Sequence, residues 1–150
     1  MKKTAMILFG LINFTFSKSQ SIYDTYPVYG GNDLGLTYSP KQSIFKIWAP
    51  SAEKAQIIFY NGGDGGESTG FLDMNKDLNG SWSAKATGDA KGKFYVFKVM
   101  INGKWLNEVP DPYAKAVGIN GKRAVLVDLK ETNPAGWEKD KSPVFKNKTD

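Results

Sequence analysis

The side chains that carry chemistry are unevenly supplied in this 150-residue chain. It has 15 carboxylates and 20 cationic side chains, a single arginine (Arg123), and neither histidine nor cysteine. Without His or Cys, no Ser-His-Asp or Cys-His hydrolase can be assembled within it. A His general base and a zinc site of nitrogen or sulfur ligands are excluded on the same ground. Two carboxylates placed across one bond can still cleave a glycoside. Here, however, the acids are scattered over turns and strand edges, and no pair sits where its pKa would be displaced. They read as solvated surface charge, and no catalytic residue is assigned. Asp64 and Glu67 lie in the glycine-rich run 61–67. Calcium loops are rich in oxygen ligands, but no complete ligand spacing is present. A plain hairpin loop is the better reading, and no metal or other cofactor is expected.

The aromatic residues carry more information. Phe45, Trp48, Tyr95 and Phe97 lie in strand-like runs and are most simply read as core. Trp105 differs, because it follows Asn102-Gly103, a strong two-residue hairpin signal, and so falls where a strand edge meets solvent. An exposed indole face can pack on the C–H face of a sugar ring while polar neighbours take the hydroxyls. Lys98, seven residues earlier and outward on the preceding strand, is placed to lie across the hairpin from it. A core or interdomain contact for Trp105 is an equally good reading.

These residues must be positioned by short strands. Period-two alternation and turn signals predict strands over 34–38, 43–49, 54–60, 70–75, 81–87, 93–101 and 124–129, with a hairpin return at 104–106. Pro50, the glycines of 61–66, Asn79-Gly80 and 88–92 punctuate them. In the second strand Phe45 and Ile47 share one face, and Ile44, Lys46 and Trp48 the other. About seven short strands with no sustained helical period predict an all-β, immunoglobulin-like antiparallel β-sandwich. Residues 108–128 are irregular at first: Pro110 and Pro112 remove two backbone donors and extend their predecessors. A proline-held loop with Tyr113 at its middle has a packing or binding task.

Domain organisation follows. Residues 1–19 have the parts of a secretory signal: Met1-Lys2-Lys3, an apolar run over 5–16, and Ser17-Lys18-Ser19. The apolar run is too short for a comfortable membrane span, so a secreted or periplasmic product without a span after cleavage is expected. Residues 20–33 read as an extended lead-in, 34–130 as the sandwich and 131–150 as a Lys-rich linker. Removing Lys2, Lys3 and Lys18 from the 20 basic residues leaves 17 against 15 acidic ones, a net charge of +2. With one arginine and no clustered basic face, nucleic acid is not an expected partner.

Four segments, in order, carry a family likeness. Phe45-Lys46-Ile47-Trp48-Ala49-Pro50-Ser51-Ala52 resembles the F-x-x-W-A-P-x-A entry strand of the isoamylase N-terminal domain, carbohydrate-binding module family 48. Tyr29-Gly30-Gly31-Asn32-Asp33-Leu34-Gly35 is similar to the Y-x-G-x-D-L-G lead-in of type I pullulanases. Residues 111–123 resemble their D-P-Y-A-x-A-x-G-x-N-G-x-R segment, and Thr132-Asn133-Pro134-Ala135-Gly136-Trp137 their exit motif. The resemblance spans about residues 21–150. It implies an α-1,6-glucan debranching enzyme whose retaining chemistry resides on a (β/α)8 barrel. That barrel begins after the segment matched here, so its Asp and Glu are not expected in this chain. Starch, glycogen or pullulan and the barrel are the implied partners. Glucan-binding members use two tryptophans and a lysine; Lys98 and Trp105 match the lysine and the second tryptophan. The first would fall in the loop 61–66, which has no aromatic. Tyr113, Asp111 and Trp137 are implied as contacts to the barrel. A free-standing α-glucan-binding protein using Lys98 and Trp105 is the alternative.

Overall fold

The computed structural model describes residues 22–144. The expected export signal lies outside the described residues, as does the end of the expected linker. Two antiparallel sheets pack face to face. The first has the order β1-β2-β6-β5, built from Gly35–Ser39 (β1), Gln42–Trp48 (β2), Asn75–Lys76 (β5) and Ser81–Thr87 (β6). The second has the order β4-β3-β7-β8, built from Lys54–Tyr60 (β3), Gly70–Asp73 (β4), Phe94–Ile101 (β7) and Lys104–Trp105 (β8). Ala124–Val125 (β9) pairs with the start of β7. The fold is all-β among the described residues, broken only by 3-10 turns.

Alternation fills the space between the sheets. Phe45 and Ile47 point inward from β2, Ala55 and Ile57 from β3, Trp82 and Ala84 from β6, and Tyr95 and Phe97 from β7; all are buried. Three edge-to-face ring pairs run through the centre: Phe45–Phe59 at 5.8 Å, Phe45–Tyr95 at 4.9 Å and Tyr95–Phe97 at 5.7 Å between centroids. This geometry sets the positive ring edge against the negative face. The Trp82 indole N–H donates to the Ala49 carbonyl at 3.1 Å, so its polar atom is not stranded in the core.

Four expectations change. Residues 70–75 were expected to form one strand, yet the chain switches sheets there: β4 pairs with β3, and Asn75–Lys76 pairs with β6. Buried Met74 is the corner, its N–H donating to Ala55 O. The expected strand 124–129 pairs for two residues only, since β7 begins at Phe94, opposite Val125, and offers no strand beyond it. A 3-10 turn at Leu129–Glu131, capped by Asp128, ends it. Trp48, expected in the core, is 42% exposed on the outer face that alternation gives it. The lead-in is a 3-10 turn at Ile22–Thr25 followed by chain laid over the first sheet.

Candidate functional site

The hairpin joining β7 to β8 turns at Asn102-Gly103, with φ of 52° and 71°. Two successive left-handed residues match the right-handed twist of the flanking strands, which fixes the register. Trp105 therefore lies opposite Met100 and shares its face. Lys98 stands two residues before Met100, on the same side of β7. The structure thus brings Lys98 and Trp105 together on the outer face of the second sheet. Both are half-buried, and neither side chain has a hydrogen-bond or ion-pair partner among the described residues. Across the sheet, Gln56 stands opposite Lys98 and Asp73 opposite Gln56. The Gln56 amide donates to Asp73 Oδ1 at 2.8 Å. One step along β4, Phe71 lies opposite Ile58 and is 59% exposed. Phe71 is not marked by the sequence as a surface ring. Its only local signal is that it alternates with Asp73 in a strand too short to show which face is open.

The far end of this face is closed. Ile58, Tyr60 and Val96 form a small buried cluster there with Phe94. The Arg123 guanidinium carbon lies 3.4 Å from the Tyr60 ring centroid, and Nη1 donates to the carbonyls of Gly62 and Gly65, each at 2.7 Å. Tyr60 donates to Glu108 Oε2 at 2.7 Å; burial, then that hydrogen bond, raise its pKa. Lys122 pairs with Asp64 at 2.7 Å. Gly63 and Gly118 touch backbone to backbone: a Cβ built on Gly118 would stand 2.6 Å from the Gly63 Cα. The loop 61–66 is therefore pinned to the segment 118–123.

The proline-held loop forms the seam between the sheets. Asp111 is buried, 4% exposed. Its Oδ2 accepts from Tyr95 Oη at 2.6 Å, and its Oδ1 accepts from the Tyr113 N–H at 2.8 Å. Burial, reinforced by Asp111, raises the Tyr95 pKa well above the ordinary phenol value. Gly35, at φ 92°, begins β1 against this turn; a Cβ there would stand 2.7 Å from Tyr113 Cβ. The three residues expected to meet a following domain thus divide. Tyr113 and Trp137 are exposed, at 51% and 57%. Asp111 lies inside, with both oxygens engaged within the chain.

The outer face of the first sheet is organised differently. Lys46 pairs with Asp33 at 2.6 Å and also donates to Tyr29 Oη, and Tyr29 itself donates to Asp33. The Trp48 indole N–H is shared by the carbonyls of Pro27 and Asn79, at 3.2 and 3.1 Å.

Two antiparallel sheets packed face to face define a β-sandwich module. Residues 33–114 match the family model of carbohydrate-binding module 48, the isoamylase N-terminal domain, and the chain belongs to that family. A pullulanase of Bacillus subtilis is 32% identical over 99 residues, which cover 66% of this chain and 13% of that protein. Pullulanase 1, chloroplastic, of Arabidopsis thaliana is 26% identical over 149 residues, covering 93% of this chain and 15% of that protein. A solved pullulanase of Paenibacillus barengoltzii, in complex with maltohexaose and α-cyclodextrin, is 40% identical with a TM-score of 0.76; the match covers 85% of this chain and 19% of that one. The chain therefore spans less than a fifth of these relatives.

Proposed function

We propose that this chain is the N-terminal module of a pullulanase-type α-1,6-glucan debranching enzyme acting on starch, glycogen or pullulan. Its task is to support the catalytic barrel that the rest of such an enzyme carries, and to contact α-glucan through Lys98 and Trp105. The observation that carries the reading is the 40% identity to a pullulanase across 85% of the chain. Tyr113 and Trp137 are the surface side chains through which the module meets the barrel, and Asp111 holds the Tyr113 turn in place from beneath. Export through residues 1–19 makes the product secreted or periplasmic. Retention of the unprocessed N-terminus in cell extracts, read by mass spectrometry, counts against that part.

The docking role is tested by adding the 150-residue chain to a pullulanase barrel stripped of its own module. A rise in the barrel's thermal midpoint and debranching rate is expected, and Tyr113→Ala weakens both. No change on adding the chain overturns the docking reading. Debranching by the purified chain alone overturns the claim that it carries no catalytic residues.

A second reading, a free-standing glucan-binding protein, is favoured by the open face on which Lys98 and Trp105 keep unspent donors. Affinity electrophoresis in glycogen separates it: strong retardation with no effect on a barrel supports this reading over the first.

A further inference from the structure

The loop 61–66 has no aromatic and is tied down by Arg123, Lys122 and the Gly63–Gly118 contact, so it offers this face no ring beside Trp105. The strand register supplies another candidate. Phe71 on β4 opposes Ile58 on β3, while Trp105 on β8 opposes Met100, which in turn opposes Lys54. The two rings therefore lie on one face, three strand spacings apart across the sheet and two residue pairs apart along it. That is a diagonal of about 20 Å at ordinary sheet dimensions. Gln56, bonded to Asp73, and Lys98 fall on the line between them. The track reads ring, amide–carboxylate pair, ammonium, ring.

We infer that Phe71 is the second stacking platform of this face, and that the diagonal from Phe71 to Trp105 selects linear α-glucans long enough to reach both rings. The inference rests on the glucan-binding reading of Lys98 and Trp105 and adds to it a residue and a length requirement. The chemistry fits an uncharged chain. Each ring offers a flat apolar surface to a sugar's C–H face. The groups between them are unsatisfied or half-satisfied donors and acceptors: three N–H of Lys98, the second N–H of Gln56 and the second oxygen of Asp73. A disaccharide covers one platform only. A longer chain engages the second ring without losing further translational freedom, so its affinity exceeds that for the short one. Phe71 sits on an edge strand with most of its side chain in water, so truncating it leaves the core as it is.

The test is calorimetric titration of the 150-residue chain with maltose, maltotriose, maltotetraose and maltoheptaose. Wild type is expected to bind maltoheptaose most tightly, with the gain appearing only once the chain spans both platforms. Phe71→Ala is expected to lose about 3–10-fold on maltoheptaose, the range for one aromatic contact, with maltose binding unchanged. Phe71→Trp restores or exceeds the wild-type value. Trp105→Ala weakens every ligand. If Phe71→Ala binds all four sugars as wild type does while Trp105→Ala does not, the second platform is overturned and the Lys98–Trp105 reading stands. If wild type shows no length dependence, the track is overturned likewise. If wild type binds none of them, both the track and the glucan-binding reading fall.

Discussion

The two outer faces of this sandwich are built from similar residues and used in opposite ways. Each carries a tryptophan and a lysine on adjacent rows. On the first sheet, Lys46 is spent on Asp33 and Tyr29, and the Trp48 N–H is spent on Pro27 and Asn79, so the lead-in is tied over the strands. On the second sheet, the strand register sets Lys98 and Trp105 on one face, and their polar atoms are unspent among the described residues. Residue type does not distinguish the pairs. What distinguishes them is whether the chain supplies its own partner, and a donor left half-buried without one is available to a ligand.

Substitutions can break this contrast, starting from the seam that both faces share. Asp111→Ala orphans the buried Tyr95 hydroxyl and the Tyr113 N–H; a loss of about 2–3 kcal/mol is expected in urea unfolding. Asp111→Asn, which keeps an acceptor, should recover part of it, and equal losses for both would show that the turn does not depend on that carboxylate. On the covered face, Trp48→Ala forfeits its two carbonyl contacts and is expected to cost about 1–2 kcal/mol. Faster proteolysis of the lead-in should accompany it. On the open face, Trp105→Ala is expected to change stability by less than about 0.5 kcal/mol while glucan affinity falls. A Trp105→Ala variant as unstable as Trp48→Ala would erase the distinction.

The smallest effect is in pH. Lys46, then Tyr29, hold Asp33 below its ordinary pKa of 3.8 through hydrogen bonds. A depressed carboxylate stabilises the fold above its unfolded pKa, and that stabilisation is lost as pH falls through the folded value. Loosening of the lead-in is therefore expected on acidification below about pH 4. At the alkaline end, the Asp89 hydrogen bond, with some burial, pushes Tyr38 from 10.0 up to about 12. A raised tyrosine stabilises below its unfolded pKa, so that contribution fades from pH 10 upward. Unfolding midpoints between pH 3 and 11 check both limbs.

What could be read from the sequence was what is local. The span of β3, 54–60, is legible in full because Pro50 and the 61–66 glycines bracket a short segment that ends in Ile57-Ile58-Phe59-Tyr60, all strand-favouring residues. The Asn102-Gly103 hairpin was equally clear, since its turn chemistry is confined to two residues. Trp48 shows a conflict between two local cues: alternation put it on the outer face with Lys46, and its residue type argued for the core. Alternation was right. The rest depended on partners distant in sequence. The sheet switch at Met74 follows from which edges β3 and β6 leave free, and the early end of β9 from β7 beginning at Phe94. Phe71 shares a face with Lys98 and Trp105 only through the register of four strands. The buried role of Asp111 required knowing that Tyr95, sixteen residues earlier, points at it.

The Gly63–Gly118 contact also bears on redesign. At either position any side chain meets backbone, so the clasp admits no other residue without shifting. Two and three residues beyond Gly63, Gly65 and Gly66 face open space at φ of 61° and 70°. An aromatic grafted there would have room but would sit in left-handed backbone that asparagine tolerates and bulky residues do not. Such a ring would also stand on the loop that follows Tyr60 and that Arg123 and Lys122 hold, at the end of β3 remote from Lys54 and Met100. The loop can be decorated, but a decoration there extends the surface away from Lys98 and Trp105.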